Sequence, residues 1–213
     1  MAIIVPAILE KIKEGFEAKA RSFERISGVE RIQVDFCDGL FVPSVTVGVK
    51  ELDVLNPAFT WEAHLMLHEP TDFFEYQIAG FTTIIIHFEA FTDKVQLARE
   101  IGNIRSLGLK VGLAINPETE LSELTHYGEL VDQFTMLGVH PGSQGQDIIP
   151  EIFGRIKSLR QLLPHAIIEV DGGVRAENIQ QITEAGGNVV VVGSALAGDP
   201  EWDFEKLREA IDL

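Results

Sequence analysis

Residues 82–88 read Thr-Thr-Ile-Ile-Ile-His-Phe, an apolar run with almost no polar alternation. Residues 188–193, Asn-Val-Val-Val-Val-Gly, have the same character near the other end of the chain. A strand with one face in water would alternate apolar and polar residues, and these two runs do not. Continuous Val and Ile residues are typical of strands covered on both faces, as in a parallel sheet flanked by helices. We therefore predict a parallel α/β architecture.

Runs of this kind occur eight times, separated by longer amphipathic segments. The predicted strands are Ala2–Val5, Arg31–Phe36, Thr60–Leu67, Thr82–Phe88, Lys110–Ile115, Gln133–Val139, Ala166–Asp171 and Asn188–Gly193. The clearest helical patterns are Ile8–Ile26, Asp93–Leu107, Ile149–Leu163 and Ala176–Ala185. Successive strands begin roughly 20 to 30 residues apart, close to one βα unit. The pattern predicts one domain over residues 1–213, a single (β/α)8 TIM barrel; a doubly wound open sheet is the alternative.

The bulk composition limits the classes of partner and compartment. The 213 residues carry a formal net charge of −16, which argues against nucleic acid and anionic membranes as main partners. The single cysteine, Cys37, cannot form an internal disulfide, and no signal peptide or membrane span is apparent. We therefore expect a cytoplasmic protein. A phosphorylated ligand would have to be held by local donors such as backbone N–H groups.

Chemistry in a barrel of this type takes place at the carboxyl ends of the strands. Gln33 and Asp35 end the second predicted strand on one face, His64 lies in the third, and Asp171 ends the seventh. Each residue has a simpler interpretation, since Asp35 can cap a loop, His64 can be a hydrogen-bonded core residue and Asp171 can start a turn. Together, Asp, His and Asp predict a divalent metal site of mixed oxygen and nitrogen donors.

Two glycine-containing strand ends predict a phosphate site. Gly172 and Gly173 follow Asp171, and Gly193 with Ser194 ends the eighth strand. The loops after the seventh and eighth strands are the usual phosphate site of such barrels. The glycine-containing loop at residues 140–146 is either a mobile lid or a simple connection.

Seven motifs, in order along nearly the whole chain, resemble those of the ribulose-phosphate 3-epimerase family. They are residues 32–43 (Ile-Gln-Val-Asp-Phe-Cys-Asp-Gly-Leu-Phe-Val-Pro), 64–66 (His-Leu-Met), 87–90 (His-Phe-Glu-Ala), 112–117 (Gly-Leu-Ala-Ile-Asn-Pro), Pro141-Gly142 with Gly145-Gln146, 169–174 (Glu-Val-Asp-Gly-Gly-Val) and 192–195 (Val-Gly-Ser-Ala). The chain is identified as a divergent member of that family.

The resemblance implies a TIM barrel of the ribulose-phosphate-binding type that interconverts ribulose 5-phosphate and xylulose 5-phosphate. Asp35 and Asp171 match its two proton-transfer residues, and Asp35, His64 and Asp171 match three of its four ligands for a divalent ion (Zn, Fe, Mn or Co). The substrate and its phosphate would be held by residues that match the family's binding positions: His64, Gly142, Gly145, Gly172, Gly173, Gly193 and Ser194. The resemblance also implies a homo-oligomer.

The sequence departs from the family pattern around the site. The fourth ligand, a histidine in the family, is Gln33, whose amide oxygen would be a weak ligand. Other changes trim the substrate pocket or its loops: Ala7, Cys37, Leu40, Ser44, Leu137, His140 and Ser143-Gln144. Three functions are consistent with this set: a pentulose-phosphate 3-epimerase, an epimerase-like enzyme acting on another ketose phosphate such as a hexulose 6-phosphate, and a catalytically silent sugar-phosphate binder.

Overall fold

The computed structural model describes residues 2–142 and 145–211, and these form a closed parallel barrel. The eight strands pair in chain order, and the last closes on the first. They are β1 (Ile3–Ile8), β2 (Arg31–Cys37), β3 (Thr60–Met66), β4 (Thr83–His87), β5 (Lys110–Ile115), β6 (Gln133–Leu137), β7 (Ile168–Asp171) and β8 (Val189–Val192). The predicted (β/α)8 barrel is confirmed, and the open sheet is excluded.

Helices cover the outside of the barrel. In the described part of the chain the α-helices are α1 (Lys13–Phe23), α2 (Phe74–Ala79), α3 (Lys94–Ser106), α4 (Ile152–Leu162), α5 (Ala176–Ala185) and α6 (Pro200–Ile211). Four strands are followed by 3-10 helices, at Val49–Glu51, Phe88–Ala90, Leu121–Tyr127 and Ser194–Leu196. Within these described residues, none of the helices combines the length and the apolar character that crossing a membrane requires.

The first βα unit differs from the sequence prediction. The strand continues to Ile8, and the helix begins at Lys13 rather than at Ile8. Pro6 is in register with Val192, and Ile8 is in register with Val34. Closing the sheet therefore takes up residues 6–8, although the spacing of Ile8, Ile12 and Phe16 also suits a helical face.

The barrel interior carries an unusual amount of polar side chain. Its apolar side chains include a small cluster contributed by β1 and β8, namely Val5, Ala7, Val189 and Val191. Much of the remainder is buried and polar, and it comes from strands β2, β3, β4, β6 and β7: Gln33, Asp35, Glu62, His64, Thr83, His87, Gln133, Thr135 and Glu169. Buried polar groups are costly unless they pair with one another, so pairing inside the barrel determines the arrangement.

A network centred on Arg31 closes the amino-terminal end of the barrel. Its guanidinium donates to Glu62, to Gln133 Oε1 at 2.5 Å and to Glu169 Oε2 at 3.3 Å. Glu62 and Glu169 are fully buried, and Thr135 Oγ1 donates to Glu169 at 2.8 Å. One cation thus serves two carboxyl groups that have no access to water.

We expect Arg31→Met to destabilise the fold by about 3–5 kcal/mol, because it leaves Glu62 and Glu169 buried without a cation. Urea unfolding at pH 7 measures this loss. Arg208→Met is the matched control, since Arg208 makes an exposed contact with Glu205 and should change stability by no more than about 0.5 kcal/mol. Adding Glu62→Gln and Glu169→Gln to Arg31→Met should recover most of the loss. Equal stability of Arg31→Met and wild type would contradict the assignment.

Candidate functional site

Two aspartates and a histidine meet at the carboxyl end of the barrel. Asp35 lies near the end of β2, in register with His64 on β3, and Asp171 ends β7. His64 Nδ1 is 3.1 Å from Asp35 Oδ1 and 3.2 Å from Asp171 Oδ2. The closed strand order brings β7 to within reach of β2 and β3 across the barrel, so residues separated by more than a hundred positions share one site.

Gln33 belongs to the same site. It precedes Asp35 by two residues on β2 and is completely buried. Its Nε2 donates to Asp35 Oδ1 at 2.8 Å and to Asp171 Oδ2 at 2.9 Å, and lies 3.4 Å from His64 Nδ1. The amide therefore contacts all three of the other predicted metal ligands, and it does so through nitrogen.

The two carboxyl groups differ in their preference for a proton. Burial raises the pKa of Asp35, and the charge of Asp171 adds to this effect. Burial acts on Asp171 too, but the hydrogen bond and charge of His64, with the amide of Gln33, outweigh it and lower the pKa of Asp171. Burial opposes the imidazolium of His64, yet hydrogen bonds to Asp171 and Asp35 raise its pKa to about 10. Asp35 therefore holds a proton more readily than Asp171 does.

A second histidine, His87, contacts the ring nitrogen of His64 that does not face the aspartates. The sequence assigned His87 no role. His64 Nε2 lies 2.9 Å from His87 Nε2, and the two rings stack at 5.0 Å between centroids. Burial lowers the pKa of His87 to about 4, so its neutral ring accepts from His64. His87 Nδ1 in turn donates to Glu89 Oε2 at 3.4 Å. The position of His87 and Glu89 at the end of β4 indicated that they lie near the site. It did not indicate that His87 contacts His64.

Three of the predicted ligands bring together the donor types that divalent ions use. One ligand atom each from Asp35, His64 and Asp171 lies within 4.8 Å of the others. Carboxylate oxygens and imidazole nitrogens are both ligand types that proteins use for divalent zinc, iron and manganese. Gln33, the predicted fourth and weak ligand, presents an N–H donor in this arrangement rather than its amide oxygen.

A pocket opens above these groups and contains the predicted phosphate residues. Asp35, His64 and Asp171 form its floor, and its walls include aliphatic side chains such as Ala7, Met66 and Leu137. Its lining also includes the glycines and the serine that the sequence singled out: Gly142, Gly145, Gly172, Gly173, Gly193 and Ser194. No Lys or Arg lines this pocket in the described part of the chain.

Backbone geometry explains why glycines occupy the loop after β7. Gly172 has φ +97° and Gly173 has φ +70°, where other residues are strained. A Cβ on Gly173 would lie 2.6 Å from the backbone of Ile148, and one on Gly172 would lie 2.5 Å from Val139 Cγ2. The loop therefore exposes bare backbone at the pocket.

The loops after β2 and β6 are joined at the rim. Ser44 Oγ donates to the carbonyl of Gly142 at 2.6 Å, and a Cβ on Gly142 would lie 3.3 Å from Val42. His140 stays outside the pocket, where it is exposed and lies 3.1 Å from Glu118. Ser143 and Gln144 lie outside the described residues.

Cys37 takes no part in the pocket lining. It is buried beside Val42 and Met66, and burial raises the pKa of its thiol to about 12. A neutral buried thiol is a packing group and a poor nucleophile or ligand.

Solved structures share this fold at low sequence identity. The crystal structure of KGPDC from Streptococcus mutans covers the whole of this chain and 98% of its own, with a TM-score of 0.76 and 12% identity. That of 3-hexulose-6-phosphate synthase from Salmonella typhimurium covers 98% of each chain, with a TM-score of 0.72 and 18% identity. These matches show the architecture alone.

Curated proteins give a closer relation. Ribulose-phosphate 3-epimerase from Synechocystis sp. is 34% identical over 207 residues, covering 94% of this chain and 89% of that protein. The chloroplastic ribulose-5-phosphate-3-epimerase of Arabidopsis thaliana is 35% identical over 212 residues, covering 94% of this chain and 73% of that protein. The profile of the ribulose-phosphate 3 epimerase family matches residues 3–197. The chain thus belongs to the ribulose-phosphate 3-epimerase family.

Proposed function

We propose that this protein interconverts ribulose 5-phosphate and xylulose 5-phosphate by proton transfer at C3. One observation carries the proposal: Asp35 and Asp171, which come from different sides of the barrel, converge on His64 Nδ1 at the floor of one pocket. Inversion of a carbon centre requires one group to remove a proton and another to return one from the opposite face. The two curated relatives that cover 94% of this chain at 34% and 35% identity are named for ribulose phosphate. This favours a pentulose phosphate substrate over the hexulose phosphate alternative.

The reaction follows from what these side chains can do. One aspartate accepts the C3 proton, which leaves an enediolate, and the carboxyl group of the other aspartate delivers a proton to the other face. Hydrogen bonds from Gln33 and His64 hold both carboxyl groups in place. A divalent ion bound by Asp35, His64 and Asp171 would supply positive charge for the enediolate, but the Gln33 amide nitrogen lies among these three ligand atoms. Gln33 could reach such an ion only through its amide oxygen.

The phosphate would bind at the other side of the pocket, on backbone N–H groups and the hydroxyl of Ser194. The bare backbone at Gly172 and Gly173 permits close approach of an anion. The absence of Lys and Arg from the described lining makes these neutral donors the main source of affinity.

Three further sequence predictions stay predictions and belong to this proposal. They are that residues 1–213 form one domain, that the protein is a homo-oligomer, and that it acts in the cytoplasm.

Asp35→Asn and Asp171→Asn should each lower turnover of ribulose 5-phosphate by about 10²–10⁴-fold, because an amide cannot exchange the C3 proton. A coupled assay measures the rate, and urea unfolding of the same variants verifies the fold. Asp53→Asn is the control, since Asp53 is exposed and contacts only Lys13 among the described residues. In deuterium oxide the wild-type product should carry deuterium at C3. Failure of wild type to turn over, with chelator or with any added divalent ion, would contradict the proposal and favour a silent sugar-phosphate binder.

Ser194→Ala should raise KM for ribulose 5-phosphate by roughly tenfold or more with little change in kcat, because one hydrogen bond to a charged phosphate is lost. Ser106→Ala, on the exposed face of α3, is the matched control. Inorganic phosphate should inhibit the wild type competitively and Ser194→Ala more weakly. A variant with unchanged KM but lower kcat would place Ser194 at the reacting carbon instead.

A further inference from the structure

The amide nitrogen of Gln33 stands at the point where the ligand atoms of the site converge. It lies 2.8 Å from Asp35 Oδ1, 2.9 Å from Asp171 Oδ2 and 3.4 Å from His64 Nδ1, so all three atoms are within 3.4 Å of it. All four residues are buried or nearly so, with Gln33 at 0% exposure and His64 at 1%. These contacts and this burial hold the Gln33 amide in one position.

The orientation of this amide follows from its neighbours. The NH2 edge of Gln33 faces Asp35 Oδ1 and Asp171 Oδ2, and an ionised carboxylate such as Asp171 can only accept hydrogen bonds. The opposite edge is left unsatisfied, since Gln33 Oε1 is buried with no hydrogen-bond partner among residues 2–142 and 145–211. Turning the amide over would place that oxygen against two carboxylate oxygens and lose both donor bonds. The observed orientation therefore leaves one acceptor unsatisfied but makes two hydrogen bonds to carboxyl oxygens.

A metal ion and the Gln33 amide nitrogen would occupy the same position, between the ligand atoms of Asp35, His64 and Asp171. An ion bound by Asp35, His64 and Asp171 would need ligand distances of about 2.0–2.2 Å. The three ligand atoms lie within 4.8 Å of one another, and Gln33 Nε2 already lies among them. An amide nitrogen has no available lone pair with which to ligate, so it excludes the ion rather than completing its shell.

We propose that the Gln33 amide takes over the structural role of a divalent ion in this chain. It cross-links Asp35 and Asp171 through two N–H bonds, and the metal-free protein is the stable resting form. A divalent ion enters only when the amide turns away, which weakens its binding. The inference rests on the proposed function only in taking Asp35 and Asp171 as the two proton-transfer residues.

The experiment compares wild type with Gln33→His, Gln33→Leu and Gln181→His, using Zn²⁺ and Mn²⁺ as probes. Gln181→His adds the same imidazole at an exposed position of α5 and is the matched control. Metal content is measured after chelator treatment and dialysis, binding by calorimetry, and Tm with and without ion. None of these readouts depends on turnover, so a failed epimerase assay would overturn the proposed function and leave this result standing.

We expect chelator to leave the wild-type Tm unchanged and the wild type to contain no stoichiometric metal. Gln33→His should bind the ion about tenfold or more tightly than wild type, because an imidazole lone pair replaces a competing donor. Gln33→Leu should lose Tm when metal-free and recover it on adding Zn²⁺, since the ion can then bridge the unpaired carboxylates. Equal affinities of wild type and Gln33→His, or a wild-type Tm that falls with chelator, would overturn the proposal. If Gln33→Leu does not fold, the comparison with Gln33→His decides alone.

Discussion

Burial of charge inside a closed barrel is the constraint on which the rest of this structure depends. Four carboxyl groups project into the interior from β2, β3 and β7, and water reaches two of them only at the mouth. Each has to be paired, protonated or hydrogen-bonded, because an isolated buried carboxylate costs far more than one domain's stability allows. Arg31 meets this requirement at one end of the barrel, and His64 with Gln33 meets it at the other.

The same constraint determines how the side chains at the carboxyl end of the barrel are paired. Neutral and cationic donors satisfy the two carboxyl groups of Asp35 and Asp171, and under the proposed function this same pair transfers the protons. His87 and Glu89 extend the hydrogen bonding behind His64 and fix which of its nitrogens faces the carboxylates. The chain belongs to the ribulose-phosphate 3-epimerase family, and Gln33 donates hydrogen bonds to both carboxyl groups of the pair.

Much of the fold and part of the site could be predicted from the sequence. The apolar runs marked seven strands closely, and the strand-end rule placed Asp35, His64 and Asp171 together. The first strand was cut short because Ile8 fits both a strand and a helical face. The orientation of the Gln33 amide could not be predicted, because it is decided by Asp171, which lies 138 residues away in sequence. The partnership of His64 with His87 likewise depends on the positions of neighbouring strands rather than on any local pattern.

The hydrogen bond from Ser44 to the carbonyl of Gly142 has a thermodynamic consequence for ligand capture. Two loops that moved independently would each lose conformational entropy when a ligand ordered them. Because this bond joins the loops at the rim before any ligand arrives, part of that entropy is already lost on folding. Ligand binding then orders one connected rim instead of two separate loops, and more of the contact energy is retained as affinity.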